Sequence, residues 1–219
     1  MLELGSKFLL SYFIGSIMGA MVVGWLRGGV DIRTMGSGNA GGTNALRTQG
    51  LLFALGVVVI DVGKGVVAAG VIPDLNLPFI GTDPDISRVW LILCCAAASV
   101  VGHVWPIWHG FRGGKGAGTY IGTLIVIAPW LIIPTLLVWA AMLIIFGYVG
   151  LATMSAATAS AIYVAVTRLP DAQPLFIYCV VLAGFIIFCH RSNIGRMRAG
   201  TEFKNTKVMI FNRVRKQAD

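Results

Sequence analysis

Ser37, Asn39, Thr43, Asn44 and Arg47 are interleaved with glycines in Met35-Gly36-Ser37-Gly38-Asn39-Ala40-Gly41-Gly42-Thr43-Asn44-Ala45-Leu46-Arg47. A second loop of the same character follows later, Phe111-Arg112-Gly113-Gly114-Lys115-Gly116-Ala117-Gly118-Thr119. Glycines at Gly38, Gly41, Gly114 and Gly116 let backbone N–H groups converge on an anion, while Arg47, Arg112 and Lys115 add positive charge. Hydroxyl and amide side chains, Thr119 included, add directed donors. Two such loops point to chemistry on phosphorylated molecules.

Some familiar phosphate motifs are excluded. Gly36-x-Gly38-x-x-Gly41 matches the dinucleotide fingerprint as a string, but an apolar helix precedes it and no βαβ unit follows. In Gly113-Gly114-Lys115-Gly116 a glycine stands where a nucleoside-triphosphatase loop needs Ser or Thr. There is no Gly-x-Ser-x-Gly elbow, no His with an Asp five residues later, and no dense carboxylate or His/Cys cluster. Neither a metal nor a cofactor is called for.

Other polar residues fall at the same level of the chain's architecture. His103 ends one apolar segment in Gly102-His103-Val104-Trp105-Pro106, and His190 ends another in His190-Arg191-Ser192-Asn193-Ile194. Asp61 and Lys64 lie three residues apart inside an apolar run, hence on one helix face. They are either a structural ion pair between helices or support for the site. Glu202 either braces a basic residue or is a solvated tail charge. His109 is left unassigned.

The elements that must position these groups are membrane helices. Of the 219 residues 57% are hydrophobic and 12% charged, and the mean hydropathy is +0.82, which defines an integral membrane protein. Residues 8–26 form an uncharged run between Lys7 and Arg27. With Glu3 ahead of it and no small-residue cleavage site after it, the run reads as an uncleaved span rather than a signal peptide. Further spans are expected near 51–72, 89–109 and 174–190. The stretch 116–167 contains no Asp, Glu, Lys or Arg and is too long for one helix.

Charge fixes the count and direction of crossings. Arg27, Arg33 and Arg47 mark the first loop as cytoplasmic, Arg112 and Lys115 the third, and Arg191, Arg196, Arg198, Lys204, Lys207, Arg213, Arg215 and Lys216 the tail. For the third loop and the tail to share a side, 116–167 must hold three spans, broken at Pro129, Pro134, Gly147 and Gly150. The expected fold is therefore an all-α integral membrane protein of seven transmembrane helices, amino terminus outside and carboxy terminus cytoplasmic, forming a single domain over 1–219. The acidic, proline-broken segment Pro73 to Ser87 is an external loop. Placed beside apolar spans, the net charge of +8 reads as topology and attraction to lipid headgroups, not as a nucleic-acid face. Cys94, Cys95, Cys179 and Cys189 are expected as buried free thiols.

Taken in order, the first glycine loop, Gly102-His103-Val104-Trp105-Pro106 running into the second loop, and His190-Arg191-Ser192-Asn193-Ile194-Gly195-Arg196 resemble the bacterial acyl-phosphate:glycerol-3-phosphate acyltransferases, the PlsY family. The likeness spans almost the whole chain. It implies an enzyme of the bacterial inner membrane, its site facing the cytoplasm, that acylates the 1-hydroxyl of glycerol 3-phosphate from acyl phosphate. The products are lysophosphatidic acid and inorganic phosphate, the first step of phospholipid biosynthesis, with membrane lipids as surroundings and no requirement for acyl carrier protein.

An acyl phosphate carries a ready leaving group, so direct attack without a covalent acyl-enzyme is the economical route. Ser37, Asn39, Thr43, Asn44 and Arg47 are assigned to the acyl-phosphate headgroup and oxyanion, and Arg112 and Lys115 with His190 and Asn193 to glycerol 3-phosphate; the two assignments are interchangeable. His103 orients a phosphate or relays a proton, and a substrate phosphate can itself be the base. Arg112 stands where Lys is usual, and Gly150 where a serine-containing motif is usual. A transporter of glycerol 3-phosphate would also surround an anion with cations, but typically at the bilayer midplane within inverted repeats. Neither is legible here.

Overall fold

The computed structural model describes residues 1–210. Arg213, Arg215 and Lys216, counted above toward a cytoplasmic tail, lie outside the described residues. The regular secondary structure of the described residues is all helical, as lipid demands of a chain whose backbone must satisfy its own hydrogen bonds. The chain divides into two compact units, Met1–Pro129 and Trp130–Asp219.

The first unit contains α1 (Leu2–Gly15), α2 (Gly19–Leu26), α3 (Gly42–Gln49), α4 (Leu51–Gly70), α5 (Arg88–Val104) and α6 (Ala117–Ile127). Two helix crossings are held at backbone contact by glycine pairs. A Cβ at Gly122 of α6 would strike the Val62 carbonyl of α4 and come within 3.2 Å of Gly65 Cα. A Cβ at Gly102 of α5 would strike the Tyr12 carbonyl of α1 and come within 3.1 Å of Gly15 C. Small residues at these crossings let backbones approach, which is how helices gain packing where lipid is as apolar as the side chains.

The expected continuous span over 8–26 is corrected. Helix begins at Leu2, takes in Glu3 and Lys7, and breaks at Ser16–Met18 with a 43° bend between α1 and α2. Glu3 and Lys7 are buried, so their charges need partners. The Arg88 guanidinium grips Glu3 with Nη1–Oε1 at 2.6 Å and Nη2–Oε2 at 2.8 Å. Lys7 Nζ donates to Glu3 Oε1 at 2.8 Å and to the Pro73 carbonyl at 2.6 Å, and the Asp83 amide donates to Glu3 Oε2 at 2.8 Å. This network ties the acidic 73–87 loop to the start of α1.

The second unit contains α7 (Ile132–Phe146), α8 (Val149–Arg168), α9 (Gln173–Cys189) and α10 (Arg191–Arg198). With α6 these give the three helices expected over 116–167, but only two of the four proposed breakpoints serve. Pro129 opens a short 3-10 turn, and Gly147, at φ +78°, caps α7 in the left-handed conformation open to glycine. Pro134 instead lies inside the first turn of α7 and Gly150 inside the first turn of α8. First-turn amides have no intrahelical acceptor, so a proline there removes no hydrogen bond.

Among the described residues four helical segments are long and apolar enough to cross a membrane, and the bent pairs α1–α2 and α9–α10, each taken as one span, raise that to six. Helix α6, at 11 residues, rises about 16 Å, roughly half of a 30 Å hydrocarbon core. Cys95, Cys179 and Cys189 are buried as expected, whereas Cys94 is only half-buried.

Candidate active site

The first glycine loop is shaped by Asn44, on the first turn of α3. Its Nδ2 donates to the carbonyls of Ile32 (2.9 Å) and Met35 (3.0 Å), and its Oδ1 accepts from the Ser37 amide at 3.0 Å. Asn44 is 1% exposed. Both amide hydrogens are engaged with backbone, so Asn44, expected to bind substrate, holds the shape of the loop. Gly36, at φ +57°, passes so close that a Cβ would strike Asn44 Oδ1. Ser37 and Gly38 are left exposed, Asn39 and Thr43 half-buried, and Arg47 exposed on α3.

The second glycine loop folds back over the end of α5. Gly113 N donates to the Val104 carbonyl and Gly114 N to the His103 carbonyl, each at 3.1 Å. A Cβ at Gly113 would strike the His103 carbonyl, and one at Gly114 would strike His103 Nε2. Gly116 caps α6, which carries Thr119; the Thr119 hydroxyl is fully buried with no hydrogen-bond partner among the described residues. Arg112 is exposed and Lys115 half-buried.

Arg33 joins the two loops. Its Nε and Nη2 grip the Asp31 carboxylate at 2.8–3.1 Å, while Nη1 donates to the carbonyls of His109 (3.3 Å) and Arg112 (3.4 Å) in the second loop. Between the loops lies a polar cavity of about 710 Å³, lined by Asp31, Arg33, Thr34 and Gly38 on one side and His109, Arg112 and Gly113 on the other. Asp31, Arg33 and His109 were not singled out from the sequence. Arg33 there served only as a topology marker, because its acceptors lie 76 and 79 residues away.

The Arg33 guanidinium holds the Asp31 carboxyl below the usual carboxylate range. The pair's stabilisation is thus complete above about pH 4, the value of a free carboxyl, and fades as pH falls through the lower folded value. Both side chains are partly exposed (24% and 31%), which limits the pair to about 1 kcal/mol. Asp31→Asn is expected to lower activity a few-fold at neutral pH, and the gap from the unsubstituted protein should close as the pH is taken below about 4. Parallel pH–activity curves would contradict this.

Behind the second loop, the break between α1 and α2 meets Asp61 and Lys64 of α4. Lys64 Nζ donates to the Ile17 carbonyl at 2.7 Å, and Gly19 N donates to Asp61 Oδ1 at 3.1 Å. A carbonyl freed at the end of α1 takes the cation and an amide freed at the start of α2 takes the anion, the pairing favoured by the helix dipoles. Lys64 and Asp61 are themselves 3.1 Å apart, and His103 Nδ1 lies 2.8 Å from Lys64 Nζ and 3.4 Å from Asp61 Oδ1. All three are buried.

The third motif is organised within the second unit. His190 caps α9, where the chain bends 53° into α10; its Nδ1 donates to the Ile186 carbonyl at 2.8 Å. Glu202 is not a solvated charge: its side chain is 6% exposed, and it accepts from Asn193 Nδ2 at 2.7 Å and Arg196 Nε at 2.6 Å. Gly150 abuts Asn193, with a built Cβ 3.1 Å from three of its side-chain atoms. A serine there would press on Asn193.

A family model described as glycerol-3-phosphate acyltransferase matches residues 6–200. The glycerol-3-phosphate acyltransferase of Chlorobium phaeovibrioides is 36% identical over 94% of this chain and 98% of its own length. That of Salinibacter ruber is 40% identical over 89% of each. Crystal structures of PlsY (YgiH), an integral membrane glycerol 3-phosphate acyltransferase, in its glycerol 3-phosphate and lysophosphatidic acid forms, each superpose with a TM-score of 0.76. They are 29% identical and cover 92% of this chain and 94% of theirs. With the family model spanning both compact units and relatives matched nearly end to end, the chain belongs to the glycerol-3-phosphate acyltransferase family, as a multi-pass membrane member.

Proposed function

We propose that the protein transfers an acyl chain from acyl phosphate to the 1-hydroxyl of sn-glycerol 3-phosphate, giving lysophosphatidic acid and inorganic phosphate. The observation that carries this is the polar cavity of about 710 Å³ flanked by two glycine loops joined through Arg33. It supplies cations and backbone amides for anions, with no cysteine among its lining residues to serve as an acyl carrier. The hydroxyl oxygen attacks the acyl carbon, the carbon–oxygen bond to phosphate breaks, and phosphate leaves with the electron pair. The hydroxyl proton passes to a substrate phosphate or a histidine. Alignment of two bound reactants is worth about 7–11 kcal/mol when orientation is good, so a covalent intermediate is not needed.

Ser37, Asn39, Thr43 and Arg47 are assigned to the acyl-phosphate headgroup, with Gly38 and Gly41 supplying backbone. Arg112, Lys115, Gly114, Gly116 and Thr119 are assigned to the second anion. His190 and Asn193, braced by Glu202, keep the glycerol 3-phosphate role that the family resemblance implies. Both compact units are taken as one acyltransferase domain, since the family model runs through 6–200.

The same reading places the protein in the bacterial inner membrane, cytoplasm-facing, at the first step of phospholipid synthesis. It has seven crossings, with α6 as the short one, the amino terminus outside and the carboxy terminus inside. The distribution of basic residues supports that sidedness.

Purified protein offered acyl phosphate, acyl-CoA or acyl carrier protein separately, each with glycerol 3-phosphate, should form lysophosphatidic acid and release phosphate only with the first. Turnover with either thioester would overturn the donor assignment. Ser37→Ala, Arg47→Ala and Lys115→Ala should each lose at least about tenfold, the size of a hydrogen bond to a charged group. Near-normal activity in all three would remove the two-loop site.

A further inference from the structure

His103 is held at one ring nitrogen by a charged pair and faces a glycine loop with the other. Lys64 Nζ has three acceptors within reach: the Ile17 carbonyl at 2.7 Å, His103 Nδ1 at 2.8 Å and Asp61 Oδ1 at 3.1 Å. An ammonium has three N–H donors and no acceptor, so each hydrogen has one place to go. His103 Nδ1 must then be bare to receive its share. The competing arrangement, with Nδ1–H donating to Asp61, would span 3.4 Å and set that hydrogen against an ammonium at 2.8 Å. The shorter contact and the charge both favour a bare Nδ1.

With Nδ1 accepting, the ring's proton sits on Nε2. That nitrogen faces Gly114, where a Cβ would strike it, so the missing side chain is what lets the second glycine loop approach the buried N–H edge of the ring. We infer that Asp61 and Lys64 are positioning residues that lock His103 as the neutral Nε2–H tautomer, making it a hydrogen-bond donor to a substrate phosphate at the second glycine loop and not the base that deprotonates the glycerol hydroxyl. The donor role rests on the function proposed above; the tautomer does not. His190 is set the other way: its Nδ1–H is engaged by the Ile186 carbonyl, so its neutral form carries the lone pair on Nε2. Of the two motif histidines, His190 is the one whose outer nitrogen accepts.

The charged groups facing the His103 ring are Lys64 and Asp61, both from α4, while the second loop presents Gly113 and Gly114 to it. Nitrogen-15 NMR of the full-length, histidine-labelled protein in detergent reads the tautomer directly, with signals assigned from His109→Gln and His190→Gln. The expected result is a His103 ring with bare Nδ1 and protonated Nε2, unchanged between about pH 5 and 8, where an ordinary histidine titrates. A protonated Nδ1, or a ring that titrates in that range, would overturn the lock. In Lys64→Met the same signals should begin to move with pH.

The donor role is read separately by kinetics. His103→Leu should lower kcat/KM by more than about tenfold, and His103→Gln, whose amide nitrogen replaces Nε2–H, should restore most of it without changing the shape of the pH–rate profile. Loss in His103→Gln of about 10²–10⁴, the contribution of a positioned base, together with disappearance of a titrating limb, would overturn the donor role. A locked tautomer in a protein that turns over no acyl phosphate would leave the lock intact and refute the proposed function instead.

Discussion

Asp61→Leu is expected to destabilise the protein by about 3–5 kcal/mol, the cost of breaking a buried ion pair from one side. The Lys64 side chain is 3% exposed and that of Asp61 5%, so water cannot replace the lost partner. The ammonium would be left to the Ile17 carbonyl and His103 Nδ1, and Gly19 N would lose its acceptor. Because Ile17 lies within the α1–α2 break and Gly19 opens α2, the bend should loosen along with the pair. Lys64→Met should cost a similar amount by stranding the carboxylate. The double substitution Asp61→Leu/Lys64→Met should cost clearly less than the sum, since it removes both buried charges. Thermal unfolding in detergent, run on the two single variants and the double, measures this coupling. Losses within about 1 kcal/mol for both single variants would show the pair to be solvated.

The second large effect is expected at the α4–α6 crossing. Gly122→Leu places a side chain where the Val62 carbonyl already stands, and Gly65→Leu does the same against the Thr119 carbonyl. These obstacles are backbone, not flexible side-chain ends, so the helices must separate. Inserted volume in a packed interface typically costs about 1–3 kcal/mol, and backbone obstruction belongs at or above the upper end. Separation would also carry the start of α6, with Gly116 and Thr119, away from Asp61, whose Cβ lies 3.4 Å from a Cβ built on Gly118. Loss of folded protein in size-exclusion profiles, with activity falling even in the fraction that folds, is the expected outcome. Gly63→Leu, on the same helix with nothing within 4 Å of a built Cβ, is the control and should be tolerated.

Much of the helical order was legible because membrane helices are written in uninterrupted apolar stretches, and the three glycine- or histidine-bearing motifs in polar punctuation between them. The break at Ser16–Met18 was not legible. The run 8–26 is uniformly apolar, and what stabilises its freed carbonyl and amide is an ion pair more than forty positions further along the chain. Pro134 and Gly150 misled for a local reason. Both types disrupt helix interiors, but each falls in a first turn, where the backbone asks least of them.

By itself, the sequence determined the membrane class, the all-helical character, the family and the identity of the polar loops, since these depend on composition and on residues adjacent in the chain. Only the tertiary structure decided that Asn44 shapes its loop, that Arg33 bridges to the second loop, that Glu202 braces Asn193, and which nitrogen of His103 faces Gly114. Only the Arg33 bridge joins distant positions, 76 and 79 residues apart, but all four depend on which atoms come within hydrogen-bonding or contact distance. Spacing along the chain can name the groups able to make such contacts but cannot choose among them.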